Sequence, residues 1–172
     1  GAVALAAFAI APAAQAAAHG SFIGRFHRNH TVASTVPGNG DVNPYGVAVV
    51  RRSTGSLVKG DVLVSNFNNS QNLQGTGTTI VQISPGGQQT VFGQIKASSL
   101  PGPCPGGVGL TTALGILPGG WVVVGSLPTK DGTSPTAKAG CLLVINNKGQ
   151  VAETIAGLKD APKGKWAPKI RS

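Results

Sequence analysis

Two stretches of this chain repeat one another at a spacing of about sixty residues, a period that points to stacked, sequence-related units. The first runs from Asn43-Pro44-Tyr45-Gly46-Val47-Ala48 through Gly60-Asp61-Val62-Leu63-Val64-Ser65-Asn66 to Thr79-Ile80-Val81-Gln82-Ile83 and Gly87-Gln88. The second answers it with Gly109-Leu110-Thr111, then Gly120-Trp121-Val122-Val123-Val124-Gly125-Ser126, then Cys141-Leu142-Leu143-Val144-Ile145 and Gly149-Gln150. Gly60 to Gly120 is a step of 60 residues, and Ile83 to Ile145 and Gly87 to Gly149 are both steps of 62. The register therefore survives three successive elements.

Each copy reads as four strands separated by Gly, Pro, Asn and Ser, the residues that supply turn conformations. The first gives strands near 46–50, 61–67, 78–84 and 89–95, and the second near 110–117, 121–127, 140–146 and 151–156. Thr31–Val36 is β-branched and is stopped by Pro37-Gly38-Asn39-Gly40, so it is expected as an additional strand. Charged residues make up only 11% of the chain against 26 Gly and 12 Pro, the profile of a turn-rich β protein. Val62-Leu63-Val64 and Trp121-Val122-Val123-Val124 are continuous apolar runs, which predicts strands covered on both faces.

Asn43-Pro44-Tyr45-Gly46-Val47-Ala48-Val49, Gly60 to Asn69 and the Gly-rich turn before each fourth strand together resemble NHL-type β-propeller repeats of bacterial exported proteins. The resemblance spans roughly residues 31–157. It implies an all-β, β-propeller-like fold of about two four-stranded antiparallel blades plus one extra strand. Such propellers serve as binding scaffolds and also as lyase-like or lactonase enzymes, so the resemblance carries no single activity. A closed ring of at least four blades needs about 240 residues; the expectation is an incomplete ring, a binding or structural scaffold fragment of unknown ligand. The alternative is part of a propeller enzyme whose site is completed by further blades. An open sheet edge also predicts self-association.

Residues 1–16 form an uncharged, Ala-rich run ending Ala14-Gln15-Ala16, which reads as a signal peptide lacking its basic start, or else as an apolar N-terminal helix. Residues 17–30 are then a flexible N-terminal segment, and the mature protein is exported to the periplasm or beyond, with no stable membrane span. Cys104 and Cys141 fit that oxidising setting. Rigid strand spacing places them roughly 10 Å apart, too far to bridge directly, but the loop Pro101–Gly107 can close the gap, so a Cys104–Cys141 disulfide is expected, with two free thiols as the alternative. The net charge of +9 includes +4 within residues 159–172, a basic tail or aborted third blade. Arg25, Arg28, Arg51, Arg52, Lys59, Lys96, Lys130, Lys138 and Lys148 are scattered without interleaved aromatics, which makes a nucleic-acid partner an unfavoured reading. The tail leaves an anionic polymer as a further candidate partner.

Asn66, Asn68 and Asn69 in one copy and Asp131 in the other fall at corresponding loops, where their oxygens have the chemistry to hold a hard divalent cation or glycan hydroxyls. Against this stands the common use of Asn to cap turns through its own backbone. His19, His27 and His30 cluster near the N-terminus, and His27 and His30 form an i, i+3 pair, but the chain from Val32 reads as strand and no third ligand is adjacent, so no resident cofactor is expected. No nucleophile elbow or phosphate loop is present in the sequence, and no catalytic residue is assigned.

Overall fold

The computed structural model describes residues 21–157, leaving the expected signal peptide, His19 and the basic tail outside the described residues. The chain divides at His30 into two units. In the first, the described part is a single 3-10 turn, Ile23–Arg25, with the exposed rings of Phe22 and Phe26 edge to face at 5.2 Å. The second holds eight strands: β1 Val42–Val49, β2 Val62–Asn68, β3 Thr79–Ile83, β4 Gln89–Gln94, β5 Leu110–Ile116, β6 Val122–Ser126, β7 Cys141–Ile145 and β8 Val151–Ala156. They form two four-stranded antiparallel sheets, ordered β1-β2-β3-β4 and β5-β6-β7-β8.

All eight expected strands are present, and the repeat is exact in the ladder. Val62 pairs with Val49 and Ile83, and its counterpart Val122 pairs with Ile116 and Ile145. The β3–β4 turn closes with Ser84 N to Gln88 O and Gly87 N to Ser84 O; the β7–β8 turn repeats both bonds as Asn146 N to Gln150 O and Gly149 N to Asn146 O. β1 begins four residues before its expected start. Pro44 cannot donate to a ladder, but β1 is an edge strand and the register shifts between Pro44 and Gly46, so the missing N–H is tolerated.

The sheets pack through one shared core of Leu63, Ile80 and Phe92 from the first and Leu110, Val122, Val124, Leu143 and Ile145 from the second. Because side chains alternate along a strand, these names reveal the stacking. Leu63 faces the second sheet, whereas its ladder counterpart Val123 faces away from the first; Val122 faces the first sheet, whereas its counterpart Val62 lies on the first sheet's far side. The sheets are thus stacked front to back, like repeated pages, and not face to face. β5 packs against β1 and β2.

The segment Thr31–Val36 is not a strand. It crosses the far face of the first sheet instead of joining its edge, so its carbonyls go to side chains: Asn66 Nδ2 donates to Thr35 O at 2.8 Å, and Gln89 Nε2 to Ser34 O at 2.8 Å and Val36 O at 3.2 Å. Ala33 packs there on a small cluster of Val64, Val81 and Ile83. The first sheet is covered on both faces as expected, and all five residues of β3 are buried. The second differs: β7 alternates buried and half-buried, and among the described residues no layer covers its outer side chains Leu142 and Val144.

The bridge between Cys104 and Cys141 is formed, with a Cα separation of 5.4 Å. The loop ahead of β5 folds back over the start of β7, closing the gap that strand spacing alone would leave. Among the described residues no helix is long and apolar enough to cross a membrane.

Candidate functional site

At one end of the sheets the two long loops, 69–78 and 127–140, lie side by side. Thr129 N donates to Gly75 O at 3.0 Å, and Gly109 and Gly132 sit so close to Gly75 and to Leu73-Gln74 that a side chain at either would collide with backbone. This is the end that carries Asn69 and Asp131, and the side chains there serve the protein's own chain.

Asn66 and Asn68 are strand residues of β2 and are buried. The Asn66 amide holds the covering segment at Thr35 O, leaving its Oδ1 buried without a partner. Asn68 Nδ2 donates to Asn72 O and Oδ1, and its own Oδ1 accepts from Asn43 Nδ2 at 3.3 Å. Asn69 Oδ1 caps the following turn, accepting from Gln71 N at 3.0 Å and Leu73 N at 3.2 Å. Asp131 Oδ1 is encircled by donors of its own loop, Thr136 Oγ1 at 2.6 Å, Thr133 Oγ1 at 2.7 Å and Thr133 N at 3.0 Å. Those bonds, the Thr136 hydroxyl first, hold its carboxyl below the ordinary value of 3.8. The loops are brought together, but the four side chains each point into a local network and not toward a common centre.

The other acids are spread apart. Asp41 is buried and accepts from Thr78 N, Thr78 Oγ1 and Thr79 Oγ1, tying the entry to β1 to the start of β3. His27 and His30 are exposed, and no group of three or more His, Cys, Asp or Glu able to hold a metal forms among the described residues.

At the opposite end lies a cleft of about 800 Å³ between the sheets, lined by Ala48, Val49, Arg51, Arg52, Ser53 and Thr54 on one side and Ile116, Leu117, Pro118, Gly119 and Gly120 on the other. Its walls are held by a clamp. The turn Thr54–Leu57 reaches over to the second sheet, with Ser56 N donating to Asn147 O at 2.7 Å and Asn147 Nδ2 to Thr54 Oγ1 at 3.0 Å. Leu57 is buried beneath, and Gly120, at φ +80°, lies against Thr54 so closely that no Cβ fits. This cleft was not legible as a site, because its two arginines read as scattered surface charge. The available signal was positional: Arg51-Arg52 follows the first strand of one copy where Pro118-Gly119 follows the first strand of the other.

Comparisons with protein-family models, curated proteins and solved structures give no match.

Proposed function

We propose that the chain is part of an exported NHL-type β-propeller array and acts as a binding or structural scaffold. The observation that supports this reading is the front-to-back stacking. A face-to-face sandwich closes on itself, because both inner faces are used and both outer faces turn polar. Front-to-back stacking does not close: the face that Leu63 and Ile80 present to the second sheet is presented again by Val123, Leu142, Val144 and Ile155, all half-buried, and a further sheet of the same kind fits there. That is the geometry by which repeat arrays and propeller blades continue. The disulfide supports export, since such bonds persist in oxidising compartments.

Sedimentation velocity across a concentration series tests the reading. The chain is expected to self-associate reversibly, and a Val123→Asp, Val144→Asp double variant, altering only half-buried positions, is expected to stay monomeric with the fold intact by circular dichroism. A monodisperse monomer at all concentrations, or association indifferent to the two aspartates, would sink it.

A further inference from the structure

We infer that the cleft between the ends of β1 and β5 binds one molecule of an amphiphilic anion, a phosphate or carboxylate carried on an apolar body. The cleft is built entirely from residues of the first and second sheets and their connections, so it exists whether or not further sheets stack on them.

Three observations converge on it. First, the cation charge is uncompensated: Arg51 and Arg52 line the cleft, and among the described residues no carboxylate pairs with either. Asp41 is buried in its threonine network and Asp131 is engaged in its own loop at the far end; Asp61 is buried, and among the described residues it forms no ion pair with either arginine. Each guanidinium offers a forked donor suited to phosphate or carboxylate oxygens. Second, the opposite wall is apolar and open, lined by Ile116, Leu117 and Pro118, with Leu117 41% exposed. Such a pairing of a charged rim with an apolar wall suits a ligand that has both characters and suits a bare ion or a bare hydrocarbon poorly. Third, the cleft is fixed before any ligand arrives, because the Thr54–Leu57 clamp onto Asn147 and Gly120 locks the separation of its walls. Walls already in place spare binding the cost of ordering the backbone, leaving only the arginine side chains to be ordered. Ser53 Oγ, which accepts from Lys59 N at 2.9 Å, keeps its own hydrogen to donate to a bound anion.

Isothermal titration of the full chain with octyl phosphate, octyl glucoside and inorganic phosphate is the test. Octyl phosphate should bind one to one, and both the neutral glucoside and inorganic phosphate should bind at least about tenfold more weakly, as expected if charge-assisted bonds and apolar contact each contribute. An Arg51→Ala, Arg52→Ala double variant should lose about tenfold or more in octyl phosphate affinity while melting as the parent does, because both side chains are exposed. Leu117→Ser should weaken octyl phosphate binding and leave inorganic phosphate unchanged. Equal binding of the glucoside, equal binding of inorganic phosphate, or full affinity in the arginine variant would each overturn the inference. Vesicles of phosphatidylglycerol, with phosphatidylcholine as control, separate a free ligand from a lipid headgroup: capture of vesicles without binding of monomeric octyl phosphate would also overturn it, by showing a charged surface and no cleft.

Discussion

The two sheets are built from the same repeat, with the same ladder and the same turn bonds, yet they are buried differently. In the first, β3 is enclosed along its whole length; in the second, the matching strand β7 is enclosed on alternate residues only. The difference lies in the layers beside them. The first sheet has the second on one side and Thr31–Val36 on the other, whereas among the described residues the second sheet has only the first. An apolar run in a strand therefore states a capacity to be covered on both faces; how many layers arrive is decided elsewhere in the chain.

The largest expected effect separates the sheets by covalent bonding. Both cysteines belong to the second copy, and their bridge spans 37 residues of sequence. By the chain-entropy argument its removal costs roughly 4 kcal/mol. A Cys104→Ser, Cys141→Ser variant should show that loss in its urea midpoint. A bridge removed without effect would mean that the packing of β5 against the first sheet already holds the second one in place.

Next comes a reversal of rank between register-equivalent positions. Leu63→Ala removes a fully buried side chain between the sheets and should cost roughly 3 kcal/mol, while the equivalent Val123→Ala, half-exposed, should cost about 1 kcal/mol or less. One residue earlier the order inverts: Val122→Ala, fully buried, should cost about 2 kcal/mol and exceed Val62→Ala, which lies half-buried under the covering segment. Denaturant titrations of the four variants read this out. Costs that follow the same rank in both pairs would refute the front-to-back stacking.

The smallest effect concerns the loops. Asp131 titrates below its ordinary value in the folded protein because Thr136 and Thr133 donate to the ionised form. Its folded pKa is thus lower than its unfolded one, so the stabilisation it lends the loop is present above the ordinary carboxylate value and is lost as pH falls through the lowered folded one. Amide chemical shifts of Thr133 and Thr136 should move over that acid range, and Asp131→Asn should remove the pH dependence. The corresponding loop of the first copy, capped by the neutral Asn69, should show no such transition.

Much of the fold was legible because the strand and turn signals are local. Gly87 and Gly149 mark turns through their positive φ, and the sixty-residue step transfers each strand from one copy to the other. The misreadings came from residues whose role depends on a distant partner. Thr31–Val36 has the composition of a strand and alternates inward and outward like one, but it lies across a sheet face whose edge hydrogen bonds it never reaches. Asn66 looks like a loop amide, and its role as the tether of that segment exists only once Thr35 is beside it. Arg51 and Arg52 are unremarkable in sequence and become a site only when Leu117 and Pro118 stand opposite.

By itself the sequence determined an all-β chain of two four-stranded units in a defined register, since hydrophobic runs and turn residues act within a few positions of one another. Only the tertiary structure decided which face of each sheet is covered, whether Cys104 reaches Cys141 and where two arginines meet an apolar wall. Those outcomes depend on how one repeat is set upon the next, and a strand that is apolar on both faces is compatible with either side being the inner one.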